Sequence, residues 1–393
     1  MNPVFANLPT SIFEAMSMAA RERGAVNLGQ GFPDFGWPDD VVTKAAAALT
    51  GAASQYPPMR GLPELREAVA AHYNRHQGLT LTAEQVIVTS GATEAIAASL
   101  IALISPGDEV VLFQPLYDAY LPLVLRAGGV PRLVRLTPPD WRITGEKLAE
   151  AFTPDTRCVV FNNPHNPTAR AFDAEELGLL ARFCVAADAV AISDEVWEHV
   201  MFDGRAHLPL SAMPGMAART VKIGSAGKIF SLTGWKVGWA VAAPDLAAQV
   251  ARAHQFVTFT TPPNLQAAAA YGLGKDDAYF TDMRATFEAA RDRLRAAVEE
   301  AGYKVLPAEG TYFLNVDLAA SGIAADDMTF CTRAVGECGV AAIPLSAFYA
   351  EAPVTNVVRL CFAKKPETIA QGVAGLAKAR ALFATERTID SFR

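Results

Sequence analysis

Several things are scarce in this chain of 393 residues, and each absence removes a class of function. The five cysteines (Cys158, Cys184, Cys331, Cys338 and Cys361) are odd in number and form no C-x-x-C pair. A disulfide framework is therefore not indicated, and a reducing cytoplasm fits better. The six histidines show no ligand spacing such as H-E-x-x-H, which argues against a metal hydrolase. Lysine and arginine number 34 against 41 acidic residues, a net charge of −7, so the basic footprint of a nucleic-acid binder is missing. No apolar run is long enough for a bilayer: the segment from Ala95 to Ile104 is about half the required ~20 residues and reads as a buried helix. The opening MNPVFANLPTSIFEAM has no basic region followed by an apolar stretch and cleavage site, so secretion is not indicated and a cytoplasmic location is expected. Repeats, low-complexity tracts and long linkers are also missing.

What is present is core-forming material. Hydrophobic residues make up 51% of the chain and charged residues 19%, which excludes disorder and allows a large core. At ~150 residues per domain, two or three domains are expected. From about residue 85 to 243, short β-branched runs alternate with alanine- and leucine-rich stretches. The runs are 86–89, 110–113, 158–161, 190–193 and 221–223, with helical segments such as 93–104 and 173–187 between them. Continuous apolar strands separated by helices predict a mostly parallel α/β sheet covered on both faces. Ligands of such sheets bind beyond the carboxyl ends of the strands.

A second region starts near residue 275. Met283, Phe287, Ala290, Leu294 and Val298 recur at helical spacing on one face. Arg284, Glu288, Arg291, Asp292, Arg295 and Glu299 are expected on the opposite face as solvated ion pairs. Gly302 ends this helix, and strand-like runs follow at 312–316 and 357–362, which predicts a smaller α/β unit.

The chemistry-bearing residues fall where the strands end. Lys228 lies in GSAGKIFSLTGWKVGW, just after an apolar run, among glycines and small hydroxyl residues. An activated lysine amine there can form a Schiff base with a carbonyl compound. The stretch 86–95, VIVTSGATEA, reads as strand, small-residue turn and helix start, and its N–H groups with the Thr93 hydroxyl make an anion site. Such turns are also common as plain structure. Asp194 closes the run 190–193, where a carboxylate serves equally as a helix cap. NNPHNPTAR at 162–170 reads as a turn, with His165 a local structural contact. Tyr117 could be plain core, and Arg359, in NVVRLCF, is either a strand-edge ion-pair residue or a bidentate carboxylate fork.

In combination these strings resemble the class I, fold type I, pyridoxal-phosphate aminotransferases. With LGQGFPDF, QYPPMRGLPELREA and EGTYFLNVD, the resemblance spans nearly the whole chain and is strongest to the kynurenine/glutamine/methionine aminotransferase branch. It implies a large cofactor-binding domain over residues 41–280 and a small domain over 281–393, joined by an N-terminal arm, 1–40. It implies that Lys228 carries the cofactor and acts as general acid and base, and that Asp194 faces the ring nitrogen. Asn166 faces the ring hydroxyl oxygen, and Tyr117 stacks on the ring. Gly91, Ala92, Thr93, Ser225 and Lys236 hold the phosphate. Tyr56 reaches a neighbouring subunit's phosphate, so a homodimer with shared sites is expected. Arg359, with Asn166 and the Gly31 backbone, would grip the substrate carboxylate.

Phe259 lies in the stretch 254–260 that lines the side-chain pocket in that branch; two phenylalanines and no arginine there favour apolar, aromatic or sulfur-containing L-amino acids as donors to a 2-oxo acid. The alternative is a cysteine-conjugate β-lyase using the same residues. The sequence departs from the family pattern in two places. Trp197 stands where a tyrosine is usual, and an indole donates one hydrogen bond but accepts none. Ala169 stands where glycine is usual.

Overall fold

The computed structural model describes residues 3–6, 8–51 and 55–390. At its centre lies a seven-stranded sheet in the spatial order Val86–Thr89, Gly238–Val241, Thr220–Ser225, Val190–Asp194, Thr156–Asn162, Glu109–Gln114, Val130–Arg135. Every neighbouring pair is parallel except those made by Gly238–Val241, which runs antiparallel to both its neighbours. The five strand-like runs of this region are all in the sheet. Their largely apolar character has a simple cause: Val86–Thr89 and Thr220–Ser225 are buried at every position, as a sheet sandwiched between helices requires, and the buried exception, Lys222, is neutralised by Glu195 and Glu198. Two strands were not anticipated. Gly238–Val241 overlaps the end of the lysine motif, and Val130–Arg135 contains Pro131 and is only partly buried. Its place at the sheet edge is where a residue without an N–H donor is tolerated.

Local chemistry sets the helix starts. Asp173 and Glu176 form a capping box at the head of Ala174–Ala186, and Asp276 caps Asp277–Glu300 by accepting from the Tyr279 N–H. The latter helix buries Met283, Phe287, Ala290, Leu294 and Val298. Arg291 corrects the expected charged face: it is only 4% exposed. Its guanidinium bonds both Asp203 oxygens at 2.8 Å and Asp292 at 2.8 Å, and lies 4.8 Å from the Phe202 ring centroid. A loop from the large sheet folds over that helix, and a helical wheel cannot see it.

The C-terminal part holds a four-stranded antiparallel sheet in the order Ile343–Pro344, Val357–Cys361, Phe313–Asp317, Lys304–Val305. Near the N-terminus, Val26–Asn27 pairs in parallel with Val340–Ala341. An N-terminal strand thus meets the C-terminal part of the chain, and residues 29–31 approach Arg359 and Phe313.

Candidate active site

The parallel register brings strand ends level. Asn162 lies opposite Asp194, and Asp194 opposite Ile223, so the loops that follow open into one space. A cavity of about 240 Å³ lies there. Its walls gather Gly31, Gly91, Ala92, Thr93, Tyr117, Asn166, Asp194, Trp197, Ser225, Lys228, Lys236 and Arg359, residues spread over more than 300 positions of sequence. Two sequence-selected residues stay outside it. Tyr56 is 83% exposed, and its ring meets that of Phe259 edge-on at 5.8 Å on a separate surface patch. The stretch 254–260 therefore does not line the cavity of its own chain, and His254 is buried against Glu94 at 2.9 Å. The apolar wall is supplied instead by Phe13, Ile96 and Phe313, with Gln30 beside them.

Lys228 sits in the short helix Ala226–Ile229 that follows Thr220–Ser225. Its Nζ donates to the Tyr312 hydroxyl at 3.0 Å and lies 4.7 Å from the Trp197 ring centroid. Burial pulls this ammonium down to about 8, against the opposing pull of Asp194. Asp194 is buried, and its Oδ2 accepts the Tyr120 hydroxyl at 2.5 Å. Burial pushes its carboxyl up to about 6, with the Tyr120 bond acting the other way. No cation lies within ion-pair distance of it among the described residues. Asn162 and Asn163 both donate to the Asp194 carbonyl, at 2.8 and 3.1 Å, which locks this strand end to its neighbour.

Arg359 stands on Val357–Cys361 and is 1% exposed. It donates to Asn166 Oδ1 at 2.7 Å and to the Gly29 carbonyl at 3.2 Å, and its Nε is buried without a partner. Rings of Phe313, Phe348 and Phe13 surround the guanidinium at 3.8, 5.0 and 5.1 Å. Burial lowers its pKa to about 10, which leaves it cationic at neutral pH. An arginine this enclosed, with donors left over, is built to receive an anion.

The anion end of the cavity is the head of the helix Ala92–Leu103. Gly91 precedes it with φ 79°, and a Cβ there would meet Lys236 Cε at 3.1 Å and Nζ at 3.3 Å. Lys236 makes no ion pair among the described residues. Free N–H groups at a helix start, a hydroxyl and an unpaired ammonium together suit a phosphate.

His165 is buried beside Thr168, whose Oγ1 lies 2.8 Å from its Nδ1. Ala169 adopts φ 61°, the left-handed region, and its carbonyl accepts the N–H groups of Glu309 and Gly310. A methyl group in that region costs roughly 1 kcal/mol. Ala169→Gly is therefore expected to raise unfolding stability, by up to about 1 kcal/mol, seen as a higher thermal midpoint with unchanged activity.

Sequence reasoning passed over Tyr120, Tyr312, Asn162 and the aromatic wall. Tyr120 could have been noticed three residues after Tyr117; nothing local marks Tyr312 or Phe13.

The model of the family described as aminotransferase class I and II matches residues 23–376. A probable N-succinyldiaminopimelate aminotransferase, DapC, of Mycobacterium tuberculosis is 43% identical over 380 residues, covering 93% of this chain and 95% of that protein. The methionine aminotransferase of Escherichia coli is 39% identical over 363 residues, with coverages of 92% and 94%. The solved structure of N-succinyldiaminopimelate aminotransferase from Mycobacterium tuberculosis superposes with a TM-score of 0.93 at 42% identity, over 96% of this chain and 100% of that one. The fold type I architecture is thus shared, as the resemblance implied. The chain belongs to the class I and II aminotransferases, enzymes that use pyridoxal phosphate to move an amino group between an amino acid and a 2-oxo acid.

Proposed function

We propose that Lys228 is the amine that carries the cofactor and then moves the substrate's proton. The observation that supports this most is the facing of three groups across one cavity: an amine with a lowered pKa, a buried carboxylate without a cation, and an enclosed arginine with a spare donor. Pyridoxal phosphate fits this donor set. Asp194 would lie against the protonated ring nitrogen, Tyr117 against the ring face, and Asn166 and Trp197 near the ring hydroxyl. Gly91, Ala92, Thr93, Ser225 and Lys236 would take the phosphate. When bound, the cofactor supplies an electron sink and a carbonyl carbon that accepts the amino group.

The rest is done by the chain itself. Arg359 and Asn166, with the Gly31 backbone nearby, hold the substrate carboxylate and so fix the α-carbon over Lys228. A Lys228 amine with a pKa near 8 is poised to take the α-proton at Nζ and give it up again. Asp194, anionic once a cation lies against it, stabilises positive charge on that side of the cavity throughout. Val196, Phe313 and Ile96 exclude water. Residues 41–280 form the cofactor-binding domain, and 281–393 with the arm 1–40 form the small domain. The pairing of Val26–Asn27 with Val340–Ala341 supports that division.

The donors we propose are apolar, aromatic or sulfur-containing L-amino acids. Among the described residues the cavity wall holds no cation beyond Lys228, Lys236 and Arg359 to meet a side-chain carboxylate, and Phe13, Ile96 and Phe313 offer apolar surface. The homodimer is supported by the exposed aromatics Tyr56 and Phe259, whose rings meet edge-on, and by Phe256, 85% exposed. In that assembly Tyr56 and Phe259 complete the neighbouring subunit's site. No helix of the described residues is long and apolar enough to cross a membrane, and all five cysteines are unpaired, which supports a cytoplasmic enzyme.

A half-reaction screen tests the substrate class. Holoenzyme is mixed with single amino acids while the cofactor's absorbance is followed. Methionine or phenylalanine should convert it at least about tenfold faster than aspartate, the difference a few methylenes of apolar contact provide. Faster conversion by aspartate would remove this substrate class. Pyruvate and ammonia released from a cysteine conjugate without a 2-oxo acid would establish β-elimination instead.

A further inference from the structure

Tyr312 was not among the expected site residues, yet its hydroxyl is the atom bonded to the Lys228 amine. The direction of each bond follows from proton counting. A phenol has one hydrogen. The Tyr312 hydroxyl lies 2.7 Å from the Gly31 carbonyl oxygen, which can only accept, so the phenol hydrogen is committed there. The phenol oxygen must then accept from Lys228 Nζ at 3.0 Å.

The ring itself is held rigidly. Trp197 meets it edge-on with centroids 4.2 Å apart at 88°, and Phe313 lies at 5.1 Å. On the other side, a Cβ on Gly31 would reach to within 3.3 Å of the Tyr312 ring and 2.6 Å of the Phe313 ring, so only a glycine backbone comes this close. The substitution of tryptophan at position 197 thus takes away one phenol from the cavity and supports another.

Resting on the assignment of Lys228 as the reacting amine, we propose that Tyr312 is a positioning residue: its hydroxyl orients that amine and ties it to the Gly31 segment covering the substrate. One N–H of Lys228 pointed at Tyr312 fixes rotation about the Cε–Nζ bond, which leaves the lone pair directed away from Tyr312. Displacement of Gly31 shifts the phenol hydrogen's acceptor, so a closed segment and a correctly aimed amine occur together.

The remaining groups that act on Lys228 are Asp194, Cys361, Lys236 and Arg359. Of these, Asp194 favours the ammonium, Lys236 and Arg359 oppose it, and burial keeps the Cys361 thiol protonated and neutral. Among the described residues Tyr312 adds the one direct hydrogen bond to the amine, and an acceptor stabilises the ammonium over the neutral amine.

The test is Tyr312→Phe, which keeps the ring and removes the oxygen. In full-length apoprotein, competitive labelling with trace acetic anhydride, read at the Lys228 peptide by mass spectrometry, gives the pH midpoint of that amine. The midpoint should fall by about half to one pH unit, the worth of one such bond. In holoenzyme kcat should fall about tenfold, with KM for the amino acid changed less than threefold. Genetically encoded 3-fluorotyrosine at position 312, a weaker acceptor of the same shape, should move the midpoint in the same direction by less; it also serves should the phenylalanine variant not fold. An unmoved midpoint in either variant overturns the proposal, even with kcat reduced, because a purely structural ring would give that pattern. Borohydride reduction of wild-type holoenzyme separates the two layers: failure to trap cofactor on Lys228 removes the assignment of the reacting amine, while the apoprotein titration still reads the hydrogen bond.

Discussion

Lys228→Ala is expected to lower transamination by about ten-thousandfold or more, because it removes both the covalent attachment and the group that moves the α-proton. The variant should still bind pyridoxal phosphate, since Asp194, Tyr117, Ser225 and Lys236 remain around the cavity. Its thermal midpoint should change little, because relief of the desolvated ammonium offsets the hydrogen bond lost to Tyr312. Lys228→Arg separates charge from proton transfer. It keeps a cation in place but cannot be neutral at working pH, so it should be as inactive as the alanine variant. Turnover within tenfold of wild type in either variant would end the assignment of Lys228.

The second large effect concerns acid. His72, His165 and His199 are all buried, with exposures of 2%, 1% and 6%. Burial drives His72 and His165 down to about 3 and His199 well below its ordinary value. Each is neutral when folded and takes up a proton near pH 6.5 when unfolded. Stability from such groups is therefore complete above pH 6.5 and lost as pH falls toward their folded values, about 1.4 kcal/mol per group and pH unit.

Asp194 acts in the opposite sense between pH 6 and 3.8, because its folded pKa of about 6 lies above the unfolded one. For these four groups alone, three protons against one leave two, a loss of about 3 kcal/mol between pH 6 and 5. That is a large share of a typical 5–15 kcal/mol. Glu195, which Lys222 and His207 hold at about 2 against the upward push of burial, adds a further loss only below pH 4.5.

Denaturant unfolding of apoprotein from pH 7 to 5 measures the slope. His165→Asn, whose side-chain oxygen can still meet Thr168, should reduce it by about 1.4 kcal/mol per pH unit. A flat profile across that range would contradict buried neutral histidines.

Much of the large sheet was legible along the chain because its strands are buried on both faces and read as largely apolar runs. The runs at 86–89 and 190–193 coincide with strands almost to the residue. Gly238–Val241 was missed because an antiparallel strand inserted into a parallel sheet carries no local signature. Arg291 was read as solvated because periodicity assigns a face without knowing what else covers it. Within the site, the residues in tight turns at strand ends could be named, since turn chemistry restricts residue type over a few positions. Tyr312 and Phe13 could not, because each is an ordinary aromatic in its own segment and gains a role only from what lies across the cavity.

The amino-acid sequence alone determined the α/β class, the strand-end placement of the lysine, aspartate and asparagine, and the chemistry those groups offer, because apolar periodicity and turn composition act over short range. Tertiary structure decided which hydroxyl meets the amine, which rings enclose Arg359, and that 254–260 stays out of the lining of its own chain's cavity. Those outcomes depend on the N-terminal segment returning to the C-terminal strands, a contact between residues some 330 positions apart, as from Gly29 to Arg359. Only the balance of burial over the whole core selects such a pairing.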